Sequence, residues 1–318
     1  MLKSLTGLVA FAALHYAIPA AALPDGVTAI ESRKPQEISG VAAVEGGYLV
    51  VGEGGDEPNK DKVYVWPEGS HYAAKPSLVE PEAVEVVVLP NDQELWLVLD
   101  EAVRKLYAFD KPIGRSGTLK TNGSPFEFSN KFQEVCKRGL EGLAARRTND
   151  GVEIAALWEG GYPHPGGTPE TTCKKEKGNP RAPQILLLFW EPGIGFTSTG
   201  TPIELKVPQP SGDERFRAPD LVWWDDGFLV LLSSQNEDDG GFSHKWLQGF
   251  DRGGDPTDVR LKLEDRNVWG EGHAGKNWEA LDCSLDGKSL VFGYDEKAPS
   301  EIWTYRISTS GLEGDCGS

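Results

Sequence analysis

Five short segments of the 318-residue chain carry the same pattern of potentially reactive side chains. Each opens with an acidic or hydroxyl residue followed by small and aliphatic ones, passes a turn with Gly, Asn or Asp, and ends an apolar run. The openings are Ser39-Gly40-Val41, Glu82-Ala83-Val84, Glu141-Gly142-Leu143, Asp220-Leu221-Val222 and Glu279-Ala280-Leu281. The runs close on Glu53, Glu101, Glu159, Ser234 and Glu296. If the copies stand around a common axis, their carboxylates repel unless they are protonated or neutralised by a cation. An all-oxygen donor set of irregular geometry suits Ca²⁺, which takes about six to eight oxygens; Mg²⁺ with retained waters is the alternative. The expected metal ligands are therefore Ser39, Glu82, Glu141, Asp220 and Glu279. The competing use for such acids is structural, as acceptors for backbone N–H groups of the neighbouring repeat.

Basic side chains flank these acids. Lys137 and Arg138 precede Glu141, His273 and Lys276 precede Glu279, and Arg217 lies three residues before Asp220. Lys174, Lys175, Lys177 and Arg181 fall in one long loop. A cation flanked by guanidinium and ammonium groups suits a small anionic or ester substrate, with the metal as Lewis acid and water as nucleophile. In that chemistry Glu159 is the expected base, Arg217 the anion grip and His273, with His244 behind it, a further catalytic candidate. Local neutralisation of the acids is the plainer role for each basic residue. No HExxH, G-x-S-x-G, Walker or dinucleotide pattern occurs, which removes the corresponding enzyme classes.

The elements that must position these residues are strands. Each repeat is followed by a third apolar run with aromatics: KVYVW, RKLYAF, QILLLFW, HKWLQGF and EIWTYRI. Fourth strands fit at SLVE, FEFS, IELKV and DVRLKL, and the last repeat can borrow VTAIES, residues 27–32, from the N-terminus. Four antiparallel strands per unit, radially repeated and closed on themselves, make an all-β propeller without free sheet edges. The openings at 39, 82, 141, 220 and 279 give five blades; the long loop from Gly160 to Ala182 lacks alternating apolar residues and reads as an insertion, with six blades as the alternative. Antiparallel pairing of the first two strands puts the openings and closings on one face.

Charge and targeting bound the rest. With 32 basic and 49 acidic side chains the chain carries −17, the wrong sign for a nucleic-acid partner. Residues 1–22, with Lys3, an apolar run and Ala20-x-Ala22, read as a signal peptide ahead of a single propeller domain, residues 23–318. A secreted or periplasmic monomer without membrane insertion is the expectation. Export permits disulfides. The propeller geometry favours Cys136 with Cys173 on the acidic face and Cys283 with Cys316 towards the other.

Glu141-Gly142-Leu143-Ala144, the Asn-Asp-Gly turn, Glu159 and ILLLFW together resemble the repeats of the phytase-like propeller family, described as having esterase-like activity of phytase. APDLVWWDDGFLVLLSS and WEALDCSLDGKSLVFGYDE are similar to that family's later repeats. The acidic ring is also similar to the axial calcium site of the five-bladed calcium-activated apyrases. The resemblance implies a calcium-dependent hydrolase of a phosphoester or other ester. True alkaline phytases have six blades and several calcium ions, whereas five blades and one axial site are read here. Two other functions stay open: a ligand- or protein-binding propeller with a structural calcium, and a lactonase.

Overall fold

The computed structural model describes residues 27–32, 37–52, 62–114, 116–132, 139–160, 182–207, 215–235, 242–263, 277–294, 300–310 and 312–316. Its strands form five sheets. After β1 (Val27–Ser32), blade 1 contains β2 (Ile38–Val44), β3 (Gly47–Gly52), β4 (Lys62–Trp66) and β5 (Ser70–Lys75). Blade 2 contains β6 (Pro81–Val88), β7 (Glu94–Asp100) and β8 (Lys105–Asp110); β9 (Gly117–Lys120) leaves it to pair in parallel with β5, and β10 (Phe126–Glu127) returns to its edge. Blade 3 contains β11 (Leu140–Arg147), β12 (Val152–Trp158) and β13 (Gln184–Glu191), with β14 (Gly195–Ser198) and β15 (Ile203–Glu204) sharing the outer edge. Blade 4 runs β16 (Arg215–Trp224), β17 (Gly227–Gln235), β18 (Phe242–Phe250) and β19 (Pro256–Lys262). Blade 5 runs β20 (Trp278–Cys283), β21 (Ser289–Tyr294) and β22 (Ser300–Arg306), and β1 supplies its fourth strand, Val27 opposite Tyr305.

The residue patterns explain this order. Inner strands are covered on both faces, so they are apolar almost without alternation: Leu95, Leu97, Val98 and Leu99 of β7 are all buried. Outer strands alternate, as β19 does. The blade interfaces are filled mainly by aromatics and branched aliphatics, with Trp158 and Trp190 between blades 2 and 3, and Trp278, Trp303 and Phe292 between blades 4 and 5.

The count of five and the closure by Val27–Ser32 agree with the sequence expectation. Two outer strands do not. In blade 3 the sheet continues into β14, and the expected IELKV supplies only the two-residue β15 on the same edge. The fourth strand of blade 1 is β5 rather than SLVE, because Pro67-Glu68-Gly69 turns the chain directly after β4, with the Gly69 N–H donating to Val65 O at 2.8 Å. The parallel addition of β9 was also unforeseen.

Cys283 and Cys316 are disulfide-bonded, as expected. The tail they anchor is also laced to blade 4: Asp225 N–H donates to Asp315 O at 2.9 Å and Trp224 Nε1 to Glu313 O at 3.3 Å. Residues 1–22, Glu53, Cys136, Lys137, Arg138, Cys173, Lys174, Lys175, Lys177, Arg181, His273, Lys276 and Glu296 lie outside the described residues, as do the side chains of Ser234 and His244.

Candidate functional site at the channel mouth

Four of the five expected ring residues occupy one structural position. Between Ile38 and Gly40, Pro81 and Ala83, Leu140 and Gly142, and Trp278 and Ala280, the inner strand carries one extra residue, a β-bulge. These bulged residues are Ser39, Glu82, Glu141 and Glu279. A bulge frees a residue from the ladder and re-aims its side chain, a common device beside functional sites.

Asp220 does something else. In blade 4 the register breaks between Arg217 and Asp220, so Pro219 takes the bulged place and Asp220 falls one residue further along. A shift of one residue in a strand redirects the side chain. The Asp220 carboxylate accepts from Leu221 N–H (2.9 Å) and Leu143 N–H (3.2 Å) through Oδ1, and from Leu281 N–H (2.7 Å) through Oδ2. It ties blades 3, 4 and 5 together. Asp282 does the same between blades 5 and 1, accepting from Ala43 N–H and from Cys283 N–H, each at 2.6 Å. These two aspartates fill the strand-capping role weighed for the whole ring. Burial pushes the Asp220 carboxyl well up, and pushes that of Asp282 up to about 7 despite its backbone donors.

The remaining acids divide into two groups. The first belongs to blade 2: Glu80, Glu82 and Glu101 each bring a carboxylate oxygen within 4.8 Å of the others. Glu82 and Glu101 are buried and Glu80 is partly open. The fully buried Asp100 holds the segment, accepting from Val79 N–H (2.8 Å) and Glu80 N–H (3.2 Å), and Glu101 N–H donates to Glu80 O at 2.9 Å. Gly139 of blade 3 makes room: a Cβ there would lie 1.5 Å from Glu101 Oε1.

The second group surrounds Arg217. Its Nε forms an ion pair with Glu159 Oε1, and its Nη2 meets Glu279 Oε2 at 3.1 Å. Asn277 Nδ2 donates to the other Glu279 oxygen at 2.6 Å. Burial works against the Arg217 charge, but Glu159, Glu279 and Glu141 outweigh it and keep the guanidinium protonated. Glu141 stands between the groups. Burial, then Glu159 and Glu101, push its carboxyl well above the usual range, against the pull of Arg217.

The fold therefore brings Glu141, Glu159, Arg217 and Glu279 together, sets Glu82 with Glu101, and diverts Asp220. Sequence reasoning missed Glu80 and Asp100. The signal for Glu80 was its spacing, two residues before Glu82 and so close to it in an extended segment.

Neither the family models nor the curated proteins include a match to this chain. Among solved structures it is similar to a glycosyl hydrolase from Bacteroides ovatus, 10% identical over 89% of this chain and 88% of that one, with a TM-score of 0.47. An α-L-arabinofuranosidase from Lactobacillus brevis is 10% identical over 86% and 92%, with a TM-score of 0.44. The PQQ domain of a pyranose dehydrogenase from Coprinopsis cinerea is 10% identical over 88% and 96%, with a TM-score of 0.38.

Proposed function

We propose that the protein is a secreted or periplasmic calcium-binding propeller that hydrolyses a phosphoester or another ester at its channel mouth. The observation that carries this reading is the Glu80, Glu82 and Glu101 cluster, with carboxylate oxygens within 4.8 Å of one another. Two oxygens that share one Ca²⁺ at about 2.4 Å each are at most about 4.8 Å apart, so the spacing fits. The all-oxygen donors favour a hard ion over zinc. A bound ion would supply Lewis-acid polarisation of an ester oxygen.

The chain's own residues supply the rest. Glu141 keeps its proton to higher pH than an ordinary glutamate, which suits a group that hands a proton to a leaving oxygen. Glu159 is fully buried and paired with Arg217, so its part is to orient the guanidinium. The Glu141-Gly142-Leu143 repeat that resembles phytase-like propellers adds to the hydrolase reading. One observation favours a binding propeller with a structural ion instead: Arg217 is already engaged by two carboxylates from different blades.

The test combines elemental analysis of the mature protein, melting in calcium and in chelator, and a panel of phosphoesters, carboxylic esters and lactones. One calcium per chain, lost in Glu82→Gln, with turnover of a panel member, is the expected result. Calcium without turnover selects the binding propeller. Absence of bound calcium and of any calcium-dependent melting shift overturns both. Intact mass of exported protein starting at Leu23 checks the targeting.

A further inference from the structure

We propose that blade 4 carries a second binding site, on the face opposite the channel mouth, for a small organic ammonium ion with an apolar body. The inference goes beyond the hydrolase reading and holds whether or not the mouth binds calcium.

The site is a cavity of about 530 Å³ at the turns that join β16 to β17 and β18 to β19, a size that suits a small molecule. Its walls are largely apolar. Trp224 and Val259 belong to the core that blade 4 shares with Trp278, Phe292 and Tyr305 of blade 5, and Phe250 belongs to the core shared with blade 3. Gly249 adds no side chain to the wall, and Thr257 of β19 closes over it: a Cβ on Gly249 would lie 2.4 Å from Thr257 Oγ1.

The rim is acidic and its charge is not neutralised. Asp225, Asp226 and Asp251 line the cavity and are exposed. The Asp226 carboxylate makes no hydrogen bond or ion pair among the described residues; only its backbone carbonyl is used, by Arg252. Asp225 and Asp251 use only Oδ1, and only for backbone N–H groups: Asp315 at 3.0 Å for the first, Gly253 at 2.8 Å and Asp255 at 2.9 Å for the second. Arg252, the one basic residue of the lining, is committed elsewhere. Its Nη2 meets the two Glu153 oxygens at 2.9 and 2.8 Å, and its Nε donates to Asp226 O at 3.1 Å. A negative rim over apolar walls complements a cation carried on a carbon body. A bare metal ion needs convergent oxygens, and Asp225, Asp226 and Asp251 do not gather as Glu80, Glu82 and Glu101 do. An ammonium presents three separate donors, which carboxylates spread around a rim can meet.

The test titrates the purified protein calorimetrically, in chelator, with benzylammonium chloride and separately with benzyl alcohol, which keeps the apolar body and loses the charge. One molar equivalent of the amine should bind, about tenfold more tightly than the alcohol. Asp226→Asn should weaken the amine about twofold to threefold and leave the melting temperature unchanged, because no described residue uses that carboxylate. Thr257→Lys, which sets an ammonium on an exposed part of the wall, should abolish binding in a variant that melts as a folded protein. Absence of amine binding overturns the proposal, and so does equal affinity for amine and alcohol or a Kd unchanged in Thr257→Lys. Displacement of the amine when calcium replaces the chelator would assign the cavity to a metal ion and overturn it too. A protein that fails the calcium test at the mouth but binds the amine keeps this site, and one that passes that test without binding the amine loses it.

Discussion

Asp220 Oδ1 occupies the space that a side chain at Gly142 would need: a Cβ there would lie 2.8 Å from that oxygen and 2.9 Å from Asp220 Cα. Because part of the obstacle is backbone, Gly142→Ala must push blades 3 and 4 apart, costing about 1–3 kcal/mol. Asp220→Asn replaces one acceptor oxygen with a donor facing an N–H and should cost at least as much. Calcium occupancy should survive in Asp220→Asn, since the carboxylate is committed to backbone. Elemental analysis of the folded variant reads this directly, and loss of the ion would return Asp220 to the metal site.

Removing the Arg217 charge should be more damaging. Arg217→Met leaves Glu159, Glu279 and Glu141 facing one another in a buried mouth, at a cost of about 3–5 kcal/mol. Lysine should recover less than half of the loss, because a point charge cannot reproduce a planar fork that meets carboxylates of two blades. Urea midpoints of the two variants against wild type decide it; full recovery by lysine would show that charge alone matters.

Stability of the metal-free protein should fall as pH rises. Burial sets Asp282 at about 7 and raises Glu85, whose carboxyl also feels Asp282 and Asp220. The folded state thus binds protons that the unfolded chain, with carboxylates near about 4, has released. The stabilisation is complete below the unfolded value and is lost as pH climbs through about 7. Melting temperature should therefore drop between pH 5 and pH 8, more shallowly in Asp282→Asn. Added calcium should raise it more at pH 8 than at pH 5, since ligand carboxylates must be deprotonated to bind. A flat profile would contradict the burial of these acids.

The tail disulfide offers a separate check. Cys283–Cys316 closes a loop with a sequence separation of 33, and such links contribute about 2–4 kcal/mol. Cys316→Ser should melt several degrees lower under non-reducing conditions. An unchanged melting temperature would mean that the tail's hydrogen bonds to Trp224 and Asp225 suffice.

The propeller was legible because its repeats combine short apolar runs with turns, and Val27–Ser32 could be recognised as the missing partner of the last blade. The site was half legible. Ser39, Glu82, Glu141 and Glu279 share their bulged position because their local sequences align. In blade 4 the motif slides by one residue at Ala218-Pro219, so Pro219 stands where the other repeats have a serine or glutamate, and the likeness of Asp220-Leu221-Val222 to the other openings conceals the register change. In blade 4 the position of Glu101 and Glu159 falls to Ser233, opposite Arg217, and the adjacent Ser234 makes the two frames alike in sequence. The grouping of acids around Arg217 depends on side-chain reach between blades, which no linear spacing encodes.

Ring closure dictates an order of assembly. β1 is made before any blade, yet it pairs only with β22, so Val27 waits for Tyr305. Blades 1 to 4 can each form hairpins as they emerge, but the seam between chain ends is the most distant contact and the slowest kind to form. Until it forms, β22 presents an open edge able to capture a strand from another molecule. Holding the chain dilute while its last blade appears should therefore govern how much of it reaches the closed ring.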